Sequence, residues 1–232
     1  MVVICIAGVL MALLLPALSQ AKEKSRRSVC NQNMRQIIIA LTMYGQDSNE
    51  RLPPATDNKG DYHSIRISNV TFSNLLEYLE SESNNLYCPN LVYATGTMGG
   101  YDPATGFTIG YSYLAAETTS TAGAKGPSLS WTGPMKATEN KVVIADANYW
   151  STTSSQAMTL APHTSSGALV ASAAILAVNS PAATSPTAGS ASAAMGAMGG
   201  NIGSLNGSVI WRSIRSMAQY PASTDGSASG NW

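Results

Sequence analysis

Residues 1 to 18, MVVICIAGVLMALLLPAL, form an uncharged apolar run interrupted by one helix-breaking residue, Pro16, and a segment of helical periodicity follows with no linker. At about 1.5 Å per residue such a run reaches roughly 27 Å, close to the hydrocarbon thickness of a bilayer. The pattern predicts one helix that serves two environments, its first half in lipid or in the apolar core of an assembly and its second half on a folded domain. Pro16 removes a backbone donor and is the predicted helix kink, one turn before the basic cluster Lys22, Lys24, Arg26 and Arg27. Those cations follow the apolar run directly, where the positive-inside tendency would keep them cytoplasmic unless a basic leader upstream outweighed them.

With Cys30 as origin and about 100° per residue, Met34, Ile37, Ile38, Leu41 and Tyr44 fall on one stripe, which should face the domain. Ile39 and Met43 lie opposite as an i, i+4 pair and are the candidate inter-subunit contact. Gly45, Asp47, Ser48 and Asn49 weaken the helix, and Pro53-Pro54 forbids its continuation.

Beyond this helix the signals are shorter. SNLLEYLESE, residues 73 to 82, predicts a surface helix capped by Ser73. FTIGYSYL at 107 to 114 and KVVIADA at 141 to 147 predict strands. NIGSLNGSVIWR, residues 201 to 212, predicts a hairpin, with Asn206-Gly207 supplying both positive φ angles of a two-residue turn. Residues 164 to 200 are almost wholly Ser, Ala, Gly, Thr and Pro, with an apolar patch ALVASAAILAV, and read as an insertion outside the packed core. The fold class is α+β: a long kinked N-terminal helix on a small antiparallel sheet, with a low-complexity insertion. The organisation expected is 1–20 as the transmembrane or filament-core half-helix, 21–50 as the amphipathic half, and 51–232 as the head, with the insertion at about 164–200.

Charge and motifs exclude several function classes. Thirteen basic and thirteen acidic side chains cancel, and beyond residue 150 the charged residues are Arg212, Arg215 and Asp225, so no broad basic face for nucleic acid is expected. G-x-S-x-G, H-E-x-x-H, Walker and G-x-G-x-x-G patterns do not occur, and His63 and His163 stand isolated, so no catalytic residue, cofactor or metal site is expected. Asp57, Asp61 and His63 share a loop that reads as solvated, and Asp146 at a strand end reads as a turn cap. Trp131, Trp150 and Trp211 read as core or core-edge residues. Cys5 lies in the apolar run. Cys30 and Cys88 are either a disulfide pair in an oxidising compartment or two buried free thiols.

These residues together resemble the prepilin-type proteins, the type IV pilins and type II secretion pseudopilins, and in particular their planctomycete and verrucomicrobial relatives. VVICIAGVLMALLLPALSQAKEKSRRSVCNQNMRQIIIAL is similar to that family's apolar helix, kink proline, basic cluster, Cys-x-x-Asn and Gln-Ile. Cys88-Pro89, Tyr111-Ser112-Tyr113, VVIADA and the terminal hairpin match more weakly. The hairpin carries Asn206-Gly207 where Asp-Gly is usual, and His163 corresponds to the family's pre-hairpin histidine if residues 164 to 200 are inserted. The family's basic leader ending in Gly and its Phe-Thr-Leu-Ile-Glu are missing, so codons for them are expected upstream of Met1.

The resemblance implies a structural, non-enzymatic subunit of a pilus-like or pseudopilus filament. It also implies a single-pass inner-membrane helix with the head in the periplasm or outside. The partners implied are other filament subunits, the inner-membrane assembly machinery, a prepilin peptidase acting on the leader, and membrane lipid. The alternatives are a secreted soluble protein cut near Ala17-Leu18-Ser19 or Ser19-Gln20-Ala21, and a non-assembling membrane-anchored envelope protein.

Overall fold

Helix α1 runs from Val2 to Asp47 and continues through position 16 without a break in its assignment. The computed structural model describes residues 2–80, 82–91, 100–114, 141–153, 157–165, 167–172, 189–223 and 225–232. Trp131 and the side chains of Cys5 and Pro16 lie outside the described residues, so the kink expected at Pro16 is not placed.

Along α1 the environment changes once. Every described side chain from Val3 to Lys22 is exposed, and burial begins at Glu23. From there Cys30, Met34, Ile37, Ile38, Ala40 and Leu41 are buried, the expected stripe, while Tyr44 is half-buried and packs edge-on against Tyr78 with ring centroids 5.8 Å apart. The helix ends where Asn49 and Glu50 take left-handed backbone angles and the Glu50 N–H returns to the Gly45 carbonyl at 2.7 Å.

The head is built of short helical segments and twelve short strands among its described residues. Strand β1 is Arg66–Ile67, and α2 follows at Asn69–Tyr78, starting before the predicted cap at Ser73. Its N-cap is Ser68, whose hydroxyl accepts the Thr71 N–H at 3.2 Å, and the left-handed Glu80 closes it. A 3-10 turn, Ser83–Leu86, leads to Cys88.

Strands β2 (Tyr101–Asp102) and β3 (Gly106–Thr108) join β1 in a three-stranded sheet. Strand β4 (Tyr111–Tyr113) belongs to a different sheet, so the single strand expected over 107 to 114 is two, divided at Ile109-Gly110. Gly110 permits the division, because a Cβ there would run into the backbone of Cys88 and Tyr87.

The sheet beneath α1 has the order β10-β9-β5-β4, with β5 at Val142–Asp146, β9 at Gly199–Ser204 and β10 at Val209–Ser213, and every pairing in it is antiparallel. The β9–β10 hairpin forms as expected, with a different turn. Gly207 has φ +85° while Asn206 does not enter the positive-φ region. The Gly207 N–H bonds the Ser204 carbonyl at 3.0 Å, and Ser204 and Ser208 close a three-residue loop with a glycine bulge.

A third sheet, β11-β12-β6-β7-β8, is built from β6 (Tyr149–Ser151), β7 (Met158–Thr164), β8 (Gly167–Ser172), β11 (Gln219–Pro221) and β12 (Ala228–Asn231). Within the stretch read as outside the core, it corrects that reading for the described residues 167–172 and 189–200. Gly-Ala-Leu-Val-Ala-Ser pairs along β7, and after residue 188 the chain returns so that Ser192, Met195 and Ala197 are buried. Ser192 donates to the Leu160 carbonyl at 2.7 Å, and Thr159 to that of Ser190 at 2.7 Å. Low side-chain complexity does not prevent strand pairing, because the ladder is made by the backbone.

Candidate functional site

Where α1 first enters the head, its buried face carries Glu23, Arg27 and Cys30, at offsets of four and seven residues. The loop after the 3-10 turn brings Cys88 and Asn90, the end of β5 brings Asp146, β7 brings His163, and β9 and β10 bring Asn201 and Trp211. Cys30, Cys88, Asp146 and His163 are all completely buried, and one ligand atom from each lies within 4.8 Å of the others. His163 is therefore not isolated: it stands in a group of four potential metal ligands.

The hydrogen bonds around His163 fix its ring. Nδ1 lies 2.8 Å from Glu23 Oε1. Asn90 Nδ2 also approaches Nδ1 at 3.1 Å, but its two hydrogens have closer acceptors in Glu23 Oε2 at 2.7 Å and the Pro162 carbonyl at 2.9 Å. The proton on Nδ1 is therefore donated by histidine to Glu23. Arg27 Nε donates to the same Glu23 Oε1 at 3.0 Å, and its guanidinium lies 4.1 Å from the centroid of Trp211, whose ring meets His163 edge-on at 5.5 Å.

On the opposite side, Nε2 of His163 is 3.2 Å from Asp146 Oδ2 but lacks the alignment of a hydrogen bond. That oxygen accepts the Asn201 backbone N–H at 2.6 Å and its side-chain amide at 3.1 Å. Asp146 is thus a cross-strand anchor at the cluster and not a turn cap. Nε2 of His163 and Oδ1 of Asp146 are buried without a hydrogen-bond partner, each at a cost of about 1–3 kcal/mol.

Electrostatics follow from this packing. Burial works against charge on the His163 ring, but the Asp146 carboxylate, Cys88 and Glu23 outweigh it and push its pKa up to about 12. Burial likewise opposes charge on Glu23, and hydrogen bonds from His163, Arg27 and Asn90 hold the carboxyl below its ordinary range. Burial raises the Cys88 thiol, yet Cys30 and His163 overcome it and bring it down to about 6, while Cys30 is pushed far up by burial and by its neighbour. Cys30 and Cys88 are free thiols with their sulfurs 3.0 Å apart, beyond the roughly 2.05 Å of a disulfide. The structure brings the expected pair together unbonded.

The other candidate residues lie elsewhere. Ile39 and Met43 are exposed on the outer face of α1. Asn206 and Gly207 sit at a hairpin tip away from the cluster. One oxygen of Asp57 accepts the N–H groups of Lys59 at 2.8 Å and Asp61 at 3.1 Å, so that carboxylate organises its own loop. The loop borders an open pocket of about 370 Å³ that also includes His63, Arg66, Tyr149 and Asp225. Trp150 is buried, and Trp211 edges the cluster.

Sequence reasoning missed Glu23, Asn90 and Asn201. Glu23 was findable, because extending the stripe back from Cys30 by seven residues puts a carboxylate on the buried face. Asn90 and Asn201 carry no such periodic signal.

The second notable feature is the free half of α1. Val3, Ile4, Ile6, Leu10, Met11, Leu14, Leu15 and Leu18 are each more than half exposed. Among the described residues no helix is long and apolar enough to cross a membrane.

Comparison with known proteins is informative over part of the chain. No curated protein matches it, and no solved structure does. Residues 19–87, just under a third of the sequence, match the model of a family described as a protein of unknown function (DUF1559). That stretch takes in the buried half of α1, Glu23 and Cys30, then α2, and it stops one residue before Cys88. Over those residues this chain is similar to that family.

Proposed function

We propose that this protein is a structural subunit of a pilus-like or secretion-pseudopilus filament, assembled through the first half of α1. The observation that carries the reading is the change of environment along one helix: the C-terminal half is seated on the head, while eight large apolar side chains of the N-terminal half have no cover. Folded monomers rarely leave so continuous an apolar surface in water. At about 1.5–3 kcal/mol for each fully covered side chain, packing these eight against like helices would contribute on the order of 10–20 kcal/mol before ordering costs. The same surface would rest in or against lipid before an assembly machine at the inner membrane extracts it. The resemblance of residues 2 to 54 to prepilin-type proteins supports the same assignment. No enzymatic role is part of it; the head would decorate the outside of the fibre.

Leu10 and Leu14 lie on one helical face, 57% and 64% exposed. Purified full-length protein from which detergent is withdrawn is expected to form fibres visible by negative-stain electron microscopy. The doubly substituted Leu10→Glu, Leu14→Glu chain is expected to stay dispersed with an unchanged head. A wild-type chain that remains monomeric without detergent, or a double variant that still forms fibres, would refute the proposal.

A further inference from the structure

Packing alone leaves the buried cluster at the base of α1 unexplained. The His163 ring nitrogen Nε2 has no hydrogen-bond partner, and two thiols and the Asp146 carboxylate face the same spot. All four side chains are completely buried.

We propose that Cys30, Cys88, Asp146 and His163 bind one zinc ion as a closed, four-coordinate structural site. The spacing suits it. Tetrahedral zinc with bonds of about 2.0 Å to nitrogen and oxygen holds those two atoms about 3.3 Å apart, and His163 Nε2 stands 3.2 Å from Asp146 Oδ2. Bonds of about 2.3 Å to sulfur separate two thiolates by about 3.8 Å, so the 3.0 Å between Cys30 and Cys88 has to open by under about 1 Å.

The donor set selects the metal. Calcium and magnesium take oxygen ligands, whereas two sulfurs, an imidazole and a carboxylate suit borderline-soft zinc. Four protein ligands leave no open position, which makes the site structural.

The surrounding bonds are those a zinc site needs. Glu23 accepts the Nδ1 proton of His163, which leaves the Nε2 lone pair for the metal, and Asn201 holds the Asp146 carboxylate by two hydrogen bonds. On binding, the protons held by the two sulfurs and by Nε2 of His163 pass to solvent, and the metal takes their place. The inference stands on the head and the buried half of α1 and does not depend on filament assembly. Its competitor for the same two sulfurs is a Cys30–Cys88 disulfide.

The test uses the full chain in detergent, reduced, freed of reductant without oxygen, loaded with zinc chloride and dialysed against metal-free buffer. Elemental analysis is expected to find about one zinc per chain, with Cys30 and Cys88 alkylated only after a strong chelator is added. Cobalt in place of zinc should give the charge-transfer absorption of a thiolate-bound, tetrahedral ion. His163→Gln should lose the metal. Glu23→Gln, which keeps the shape and touches only the other ring nitrogen, should weaken binding by about 10–100-fold. Reduced wild-type protein that retains no zinc, thiols that alkylate freely while zinc is bound, or cobalt bound without a thiolate band would each overturn the proposal. So would reduced protein that closes a Cys30–Cys88 disulfide on exposure to air as readily with zinc as without it.

Discussion

Asn90 spends its whole side chain on three partners: Nδ2 serves Glu23 and the Pro162 carbonyl, and Oδ1 accepts Arg26 Nη1 at 3.1 Å. Asn90→Leu fills the same space while stranding a carboxylate oxygen and a carbonyl, so it should lower stability by on the order of 3 kcal/mol, read from the denaturant midpoint. His63 permits a pH prediction away from the cluster. Burial, with Arg66 adding to it and Asp225 opposing, depresses its pKa to about 3, and Nε2 lies 3.0 Å from the Tyr149 hydroxyl. The folded ring stays neutral while the unfolded one takes a proton near pH 6.5, so stability should fall as pH drops from about 6.5 towards 3, by on the order of a few kcal/mol. His63→Gln should flatten that slope in thermal melts across the range, and an unchanged slope would show that other groups set it. At this scale the sequence was least readable. Asp146 looks like a turn residue and His163 a stray one, since nothing local reports that strands of two different sheets bring them together.

Periodic elements were readable where burial has a period. The stripe from Cys30 to Leu41 follows from spacing, because it packs one repeating face, and the strand at 142 to 146 from its β-branched run, which is buried at four consecutive positions. Boundaries set by single hydrogen bonds were not. Ser68 and Ser73 are equally plausible caps by composition, and Ser68 wins because Thr71, three residues on, both donates to it and reaches the Pro54 carbonyl at 2.8 Å. Ser68→Ala should therefore cost about 1 kcal/mol, whereas Ser73→Ala should stay within about 0.5, as judged by paired thermal unfolding curves. Gly110 is the comparable control point between β3 and β4. Gly110→Ala should destabilise by about 1–3 kcal/mol through displacement of the Cys88 backbone, and a neutral result would mean that this close approach is not maintained in solution. The segment 167 to 172 eluded the sequence reading because Ala, Gly and Ser signal no core, although their backbone pairs as well as any other.

For the whole molecule, the buried and bare halves of α1 should be separable. Removing residues 1–20 takes away only side chains that are exposed wherever they are described, so the shortened protein should unfold within about 0.5 kcal/mol of the full chain while losing its tendency to self-associate. Circular dichroism and sedimentation velocity check the two halves of that statement, and a large loss of stability would show that the leading segment supports the head. Four distant stretches of chain converge within the first buried turns of α1, at Glu23, Arg27 and Cys30. If a fibre of such subunits is pulled, tension in the rod reaches the head at this knot first, so its strength sets how hard a strand can be tugged before the decoration tears from its shaft.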